Sequence, residues 1–231
     1  MAGIADRDRG YRVLLCGDTG VSIEFGDAID LAINARVRQL YRVLKSLRPL
    51  GILDLIPTYR SLHIEYDPWQ CSFEQVLMVV EDAIRDKRVS PADAASVVDI
   101  PVCYGGDFGP DLDELAATCR LSSQEVIRIH SSPVYTVYMI GFVPGFPYLG
   151  GLDERLITPR RKAPRRRVPA GSVGIADRQT GIYPLESPGG WQIIGRTPVP
   201  LFDLSKPEPF LLGAGDRVRF IPITRDAFER H

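Results

Sequence analysis

The densest run of charged side chains in this 231-residue sequence lies between positions 160 and 167. Its six cations are Arg160, Arg161, Lys162, Arg165, Arg166 and Arg167. The planar fork of arginine binds carboxylate and phosphate groups through two parallel hydrogen bonds. The Ala163-Pro164 pair interrupts the run, and proline restricts the shape of the loop. The segment therefore predicts either an anion site or a solvated loop whose charges balance acidic surface elsewhere.

The basic run lies within residues 141–203, where glycine, proline and aromatic residues alternate. Glycine and proline favour shaped turns, and turns on a rigid scaffold commonly form binding surfaces. Gln179 and Arg196 each place a polar group in such a turn, with a turn-stabilising backbone hydrogen bond as the alternative role. Phe146 and Trp191 each follow a Pro-Gly or Gly-Gly turn and are predicted to be exposed aromatic platforms. The other aromatic candidates for the same cleft are Phe142, Tyr148 and Tyr183.

A complete catalytic apparatus is not evident in the sequence. His130 ends a predicted helix and is the one histidine with a candidate catalytic role, although a charge at a helix C-terminus is itself stabilising. Ser172 does not stand in a G-x-S-x-G turn. Asp111 precedes a predicted helix, where we expect it to cap the helix rather than to bind a metal. Neither a phosphate-binding G-x-x-x-x-G-K-[ST] loop nor a metal triad is recognisable, so no metal is expected.

Composition indicates an ordinary globular protein, with 45% hydrophobic and 25% charged residues. The net charge of −1 argues against nucleic acid or an anionic membrane as a partner. No apolar run approaches the length of a membrane-spanning helix, and the first nine residues lack the apolar stretch of a signal peptide. A cytoplasmic location is the expectation. The cysteines, expected to be buried reduced thiols, are Cys16, Cys71, Cys103 and Cys119.

Hydrophobic periodicity predicts two domains, residues 1–92 and 93–231, joined by a linker within residues 86–95. In the first domain, helical periodicity covers residues 30–47, two strands follow, and Ser72 with Gln75 begins a second helix. This pattern is typical of a small α/β sandwich. In the second domain, Ser122 with Glu125 begins a helix, and short strands between Gly/Pro turns favour a β-barrel or β-sandwich. The fold class is therefore α+β.

Several motifs together resemble one known family. They are Gly141-Phe142-Val143-Pro144-Gly145-Phe146-Pro147, Val168-Pro169-Ala170-Gly171-Ser172, Ser187-Pro188-Gly189-Gly190-Trp191 and Tyr104-Gly105-Gly106-Asp107. They resemble the family of the 5-oxoprolinase B subunit, also called allophanate hydrolase subunit 1, which includes the Kip-type histidine kinase inhibitor. The similarity covers roughly residues 11–222. One departure is Asp177, which stands where the family commonly has glycine.

The resemblance implies a cyclophilin-like β-barrel for the second domain and a role in ATP-dependent opening of 5-oxo-L-proline to L-glutamate. ATP is then a co-substrate of a complex with C-like and A-like subunits, and this chain alone is expected to be inactive. The substrate-binding candidates are Arg160, Arg165, Arg167, Gln179, Tyr183 and Arg196. The candidates for the cleft or interface are Phe142, Pro144, Phe146, Gly189 and Trp191.

Three alternative functions stay open at this point. The first is a role within a hydrolase that acts on allophanate or another small amide. The second is a non-catalytic inhibitor that binds a sensor histidine kinase. The third, a peptidyl-prolyl isomerase, rests on fold analogy alone, and fold does not imply function.

Overall fold

The structure is a computed structural model that describes residues 10–86 and 97–231. The chain divides into two compact units, Met1–Ala94 and Ala95–His231. The predicted linker, apart from Asp86, and the predicted boundary between residues 92 and 93 fall outside the described residues, so the boundary stays a prediction.

Unit 1 pairs a sheet with two helices. Among its described residues, the antiparallel sheet has the order β1-β2-β4-β3. The strands are β1 (Arg12–Leu15), β2 (Gly20–Glu24), β3 (Ile52–Pro57) and β4 (Ser61–Tyr66), and the helices are α1 (Leu31–Leu47) and α2 (Phe73–Arg85). The helical stripe predicted for residues 30–47 is confirmed, with Val37, Leu40 and Leu44 buried against the sheet residues of the unit 1 core. Asp30 caps α1, and Ser72 with Gln75 forms the predicted capping box of α2.

Unit 2 is a closed β-barrel with helices packed on it. In the described part of this unit, the barrel order is β10-β7-β6-β13-β5-β12-β9. The strands are β5 (Val97–Tyr104), β6 (Tyr135–Ile140), β7 (Pro147–Gly150), β8 (Arg165–Val168), β9 (Ser172–Ala176), β10 (Gln179–Ile182), β11 (Ser187–Gly189), β12 (Gln192–Arg196) and β13 (Arg217–Pro222). The helices are α3 (Leu112–Cys119), α4 (Ser123–Ser131) and α5 (Arg225–Glu229). Strands β8 and β11 form a separate two-stranded ribbon. The α+β class and the barrel are thereby confirmed.

The barrel interior is filled by aliphatic and aromatic side chains from facing strands. Ile100, Val137, Val173 and Phe220 are each fully buried there. Strand β13 pairs in parallel with β5 and antiparallel with β6, so it closes the barrel between them. Because side chains alternate along a strand, β10 directs Thr180 to one face and Gly181 to the other. The barrel interior lies on the Thr180 face of the strand, and the group of aromatic rings described below lies on the Gly181 face.

The cysteines only partly match the expected burial. Cys71 and Cys103 are buried, Cys119 is half-buried and Cys16 is exposed. The prediction of burial is therefore wrong for Cys16, which follows strand β1 at the beginning of a turn.

Candidate functional site

Aromatic rings from three successive segments of unit 2 pack together beside the barrel. Phe146 meets the ring of Tyr183 edge-on at 5.0 Å and the ring of Trp191 edge-on at 5.4 Å, measured between centroids. Tyr148 lies 4.8 Å from Phe146 and 5.9 Å from Trp191. Edge-to-face packing is the favoured arrangement of aromatic pairs. We call Phe146, Tyr148, Tyr183 and Trp191 the aromatic cluster.

The prediction that Phe146 and Trp191 are exposed platforms is wrong. Their side chains are 1% and 4% exposed, and they form a small core with Val168 and Ile193. The reason is the absence of a side chain at Gly181, where a Cβ atom would lie 3.0 Å from atoms of both rings. The glycine therefore creates the space into which the rings pack.

Among the aromatic residues predicted for the cleft, Phe142 is the exposed one. Its side chain is 61% exposed, and its backbone has φ +64°, which places it in the left-handed region. The ring lies edge-on to Phe146, 5.7 Å away, so it extends the aromatic cluster to the surface. Pro144 in the same turn is exposed, and Gly189 is half-buried. Phe142 and Pro144 are therefore accessible, and the cleft that they were predicted to line stays a prediction.

The basic segment runs alongside this cluster. The Gln192 side chain donates a hydrogen bond to the Pro159 carbonyl at 3.1 Å, and the Arg161 N–H donates to the Gly190 carbonyl at 2.7 Å. Strand β8 continues the contact by pairing with β11. We call residues 159–165 the arginine strap, because the segment lies along the chain that carries Trp191.

A buried carboxylate holds the strap. Asp111, whose side chain is 3% exposed, accepts hydrogen bonds from Arg161 at 2.8 Å and from both terminal nitrogens of Arg165 at 2.6 and 2.8 Å. It also accepts the backbone N–H of Ile193 at 2.6 Å. The prediction that Asp111 caps helix α3 is wrong for its side chain: it occupies the N-cap position but makes no capping hydrogen bond. One carboxylate facing two guanidinium groups leaves a surplus of one positive charge.

The predicted substrate-binding arginines do not converge on one point. Arg160 is exposed and lies 3.7 Å from the carboxylate of Asp177. Arg167 forms a bidentate pair with Glu186 on the surface. Arg196 donates to the Ala170 carbonyl at 2.7 Å and lines a different cavity of about 500 Å³, together with residues of helix α5. Of this set, Arg160 and Arg165 are the two associated with the aromatic cluster.

Burial raises the pKa of both phenol groups in the cluster. It raises the pKa of Tyr183 to about 12, and a backbone hydrogen bond from Trp191 offsets part of that rise. Burial also raises the pKa of Tyr148, against a smaller lowering by the charge of Arg160. Both phenols are therefore neutral near pH 7 and able to donate a hydrogen bond. The charge of Arg160 lowers the pKa of both phenols by a smaller amount.

Two further predicted positions lie at the turn between β9 and β10. Gln179 is buried at the first position of β10, opposite Ala176. Asp177 has φ +52°, a conformation that glycine adopts freely and that aspartate tolerates better than most residues. Asp177 therefore fits the turn and adds a carboxylate beside Arg160.

His130 lies inside the barrel, away from any surface. Its side chain is fully buried and stacks on Phe220 with the ring centroids 4.6 Å apart. Thr180 uses its hydroxyl hydrogen on the Gly174 carbonyl, so it accepts from His130 Nε2 at 2.9 Å. Nδ1 then accepts the hydroxyl hydrogen of Tyr104 at 2.8 Å. Burial lowers the pKa of His130 to about 3, so the ring is neutral and has a structural position rather than the predicted catalytic one.

Sequence reasoning missed the role of Asp111 and the buried partners of His130. Asp111 carried only the signature of a helix start, and the residues that it binds lie 50 to 82 positions further along the chain. Tyr104 and Thr180 carried no signal, because their contacts depend on closure of the barrel.

The described residues form neither a metal-binding group nor a membrane-spanning helix. Within residues 10–86 and 97–231, no group of three or more His, Cys, Asp and Glu side chains is placed to hold a metal ion. The helices of the same residues include none long and apolar enough to cross a membrane.

Comparison with known proteins places this geometry in a family. Residues 11–212 match the family described as carboxyltransferase domain, subdomain C and D. The chain is 41% identical to the B subunit of 5-oxoprolinase from Bacillus subtilis, over 96% of both chains. It is 26% identical to urea amidolyase of Lachancea kluyveri, over 93% of this chain but 13% of that protein.

A solved structure extends the comparison. The crystal structure of TTHA0988 has a TM-score of 0.79 and 41% identity, and it is matched over 88% of this chain. The chain spans 40% of the length of TTHA0988. On the extent of the family match and the identity to the B. subtilis protein, this chain belongs to the carboxyltransferase subdomain C and D family, together with the B subunits of 5-oxoprolinase.

Proposed function

We propose that this chain is the B subunit of an ATP-dependent 5-oxoprolinase in the cytoplasm. The observation that carries the proposal is the 41% identity to a 5-oxoprolinase B subunit over 96% of each chain. In the proposed reaction, water opens the lactam of 5-oxo-L-proline to give L-glutamate, coupled to hydrolysis of ATP. A lactam is a poor electrophile, so transfer of the γ-phosphoryl group of ATP to its oxygen, which releases ADP, activates the carbon for attack by water. The C–N bond of the ring then breaks, and a second water releases the phosphate.

The surface beside the aromatic cluster supports binding of such a substrate. Phe142 offers an exposed ring, and the half-buried Tyr148 adds a neutral phenol, whereas Tyr183 is buried and supports the cluster from within. Arg160 and the surplus charge of the trio of Asp111, Arg161 and Arg165 favour an anion. A carboxylate or a phosphoryl oxygen carries that charge, so we assign substrate orientation and anion stabilisation to this surface.

The proposed reaction requires partner subunits. The chain corresponds to 13% of a urea amidolyase and to 40% of TTHA0988, so related proteins carry this unit within much longer chains. We therefore propose C-like and A-like proteins as the partners, with ATP as a substrate of the complex. The chain alone is expected to be inactive.

The test is reconstitution of the complex. Co-expression with candidate C-like and A-like proteins, followed by an assay of ATP-dependent glutamate release from 5-oxoproline, is expected to give activity that disappears when this chain is omitted. Full activity without this chain, or none with all three proteins assembled, would contradict the proposal. A chain that binds a sensor kinase but no C-like protein would point to the inhibitory function instead.

The substrate surface is tested with a pair of arginine variants. Arg160→Gln is expected to lower kcat/KM about tenfold or more, since one charge-assisted contact to an anion is worth about 1.4 kcal/mol or more. Arg178→Gln is the matched control, because Arg178 is an exposed arginine of the neighbouring turn that pairs with Glu154. Equal activity of the two variants would remove Arg160 from the site.

A second substrate class is favoured by one comparison. The similarity to urea amidolyase covers 93% of this chain, which fits a role in a hydrolase of allophanate or another small amide. An assembled complex that hydrolyses allophanate and leaves 5-oxoproline unchanged would favour this alternative.

A further inference from the structure

The arginine strap owes its position to few contacts of its own. Its backbone meets the neighbouring chain through the hydrogen bonds at Pro159 and Arg161, and the ring of Pro164 lies next to Gly190. The strap residues 160 and 162–164 are mostly exposed. A segment with so little burial depends on its charged contacts to hold a single conformation.

Apart from the exposed pair of Arg160 with Asp177, the charged contacts of the strap converge on the carboxylate of Asp111. Asp111 joins three elements, since its carboxylate receives Arg161 and Arg165 from the strap and β8, and the Ile193 N–H from β12. Its own N–H donates to the Ile193 carbonyl at 2.9 Å, which fixes the start of helix α3 against the same strand. The Arg161 and Arg165 side chains are 31% and 25% exposed, so these contacts are partly shielded from solvent.

The chemistry of the contact requires a carboxylate. Two cations bind it at once, and four hydrogen bonds use both of its oxygens. An asparagine offers one oxygen, has no charge and turns an N–H group toward one of the arginines. Removing one partner of a buried charged group leaves the others without compensation. The strap then loses its fixed position, although the helix keeps its N-cap backbone.

We infer that Asp111 is a positioning residue, which holds the arginine strap along the residues that flank Trp191 and thereby sets the location of Arg160 at the turn of Asp177. The consequence for substrate binding rests on the function proposed above. The consequence for the strap itself does not, because the strap bonds to Gly190 and Gln192 on either side of Trp191, within the isolated chain.

The first experiment uses fluorescence of the isolated chain. The sequence has two tryptophans, and Trp69, in unit 1, is 96% exposed. In a Trp69→Phe background, Trp191 is the only tryptophan and is expected to be poorly quenched by acrylamide. Asp111→Asn is expected to increase quenching several-fold and to shift the emission to longer wavelength.

The matched control is Asp99→Asn, which removes the carboxylate of another bidentate arginine pair in unit 2, between Asp99 and Arg219 on strands β5 and β13. It is expected to leave Trp191 shielded. Equal quenching in Asp111→Asn and Asp99→Asn would overturn the inference. If Asp111→Asn does not fold, Arg165→Lys, which keeps the charge but loses the fork, is expected to change quenching in the same direction by less, and no change there would overturn the inference.

The second experiment uses the reconstituted complex. Asp111→Asn is expected to raise KM for 5-oxoproline about tenfold, the change that corresponds to about 1.4 kcal/mol of lost binding, with a much smaller change in kcat. A loss of kcat with KM unchanged would contradict positioning of the binding surface. If the wild-type complex is inactive, the proposed function fails while the quenching experiment still decides the role of Asp111 in holding the strap.

Discussion

Gly189 and the ring of Tyr183 share a space that has no room for a further side chain. A Cβ atom at Gly189 would lie 2.8 Å from two ring carbons of Tyr183, closer than carbon atoms approach in folded proteins. At the adjacent Gly190, a Cβ atom would lie 3.7 Å from Pro164, which is an ordinary contact. Two consecutive glycines therefore have different reasons to be present.

The difference predicts the outcome of two alanine substitutions. Gly189→Ala is expected to destabilise unit 2 by about 1–3 kcal/mol, because the aromatic cluster has to shift to admit the methyl group. Gly190→Ala serves as the matched control, with an expected change of less than about 1 kcal/mol. Urea unfolding followed by Trp191 fluorescence in the Trp69→Phe background measures both, and equal stability of the two variants would contradict the packing described here.

For single residues, the sequence predicts which side chains are candidates for the site better than it predicts the contacts that they make. The basic run and the aromatic residues were identified as candidates, and Phe142 is exposed, while its place in a cleft stays a prediction. The burial of Trp191 was missed, because a Gly-Gly turn permits a ring to pack inward as well as outward. The pairing of Arg165 with Asp111 could not be predicted, since 54 residues separate them and either residue has many plausible partners in the chain.

At the scale of elements, helix starts were the most predictable features. The capping boxes expected at Ser72 and Ser122 are both present, because the signal is local and its hydrogen bonds close within four residues. The neighbours of strands were not predictable in the same way. Strand β10 joins β7 and β9, and the short length of each left their order in the barrel open.

The capping box of α4 gives a prediction at this scale. Ser122→Ala is expected to cost about 1 kcal/mol of stability, because the Glu125 N–H loses its side-chain partner. Gln124→Ala, an exposed change in the same helical turn, is the control and should stay within about 0.5 kcal/mol. Thermal unfolding of both variants decides the matter, and an unchanged Tm for Ser122→Ala would mean that the cap contributes no stability.

At the scale of the whole molecule, His130 links the stability of the barrel to pH. Its pKa is about 3 in the folded state and about 6.5 when unfolded, so the unfolded chain binds the additional proton as the pH falls below 6.5. The stability contributed by the neutral ring is therefore fully present above about pH 6.5. It is lost at up to about 1.4 kcal/mol per pH unit as the pH falls toward 3.

This dependence is measurable as the slope of unfolding free energy against pH between 4 and 6. His130→Gln, whose amide has both a donor and an acceptor for Thr180 and Tyr104, is expected to reduce that slope by up to one proton. Trp191 fluorescence in the Trp69→Phe background follows the unfolding of unit 2, and the same protein without the His130 substitution is the reference. An identical slope in the two proteins would show that His130 is not the titrating group.

The closure of the barrel by β13 has a consequence for the synthesis of the protein. This strand pairs with β5, and contacts such as that between Asp99 and Arg219 span 120 positions. A ribosome therefore releases every strand of unit 1, and most of unit 2, before the edges of β5 and β6 gain their common neighbour. Contacts of such long range form slowly, and open strand edges invite association with other chains. During synthesis, the strands of unit 1 are therefore available for pairing while the barrel of unit 2 still lacks β13.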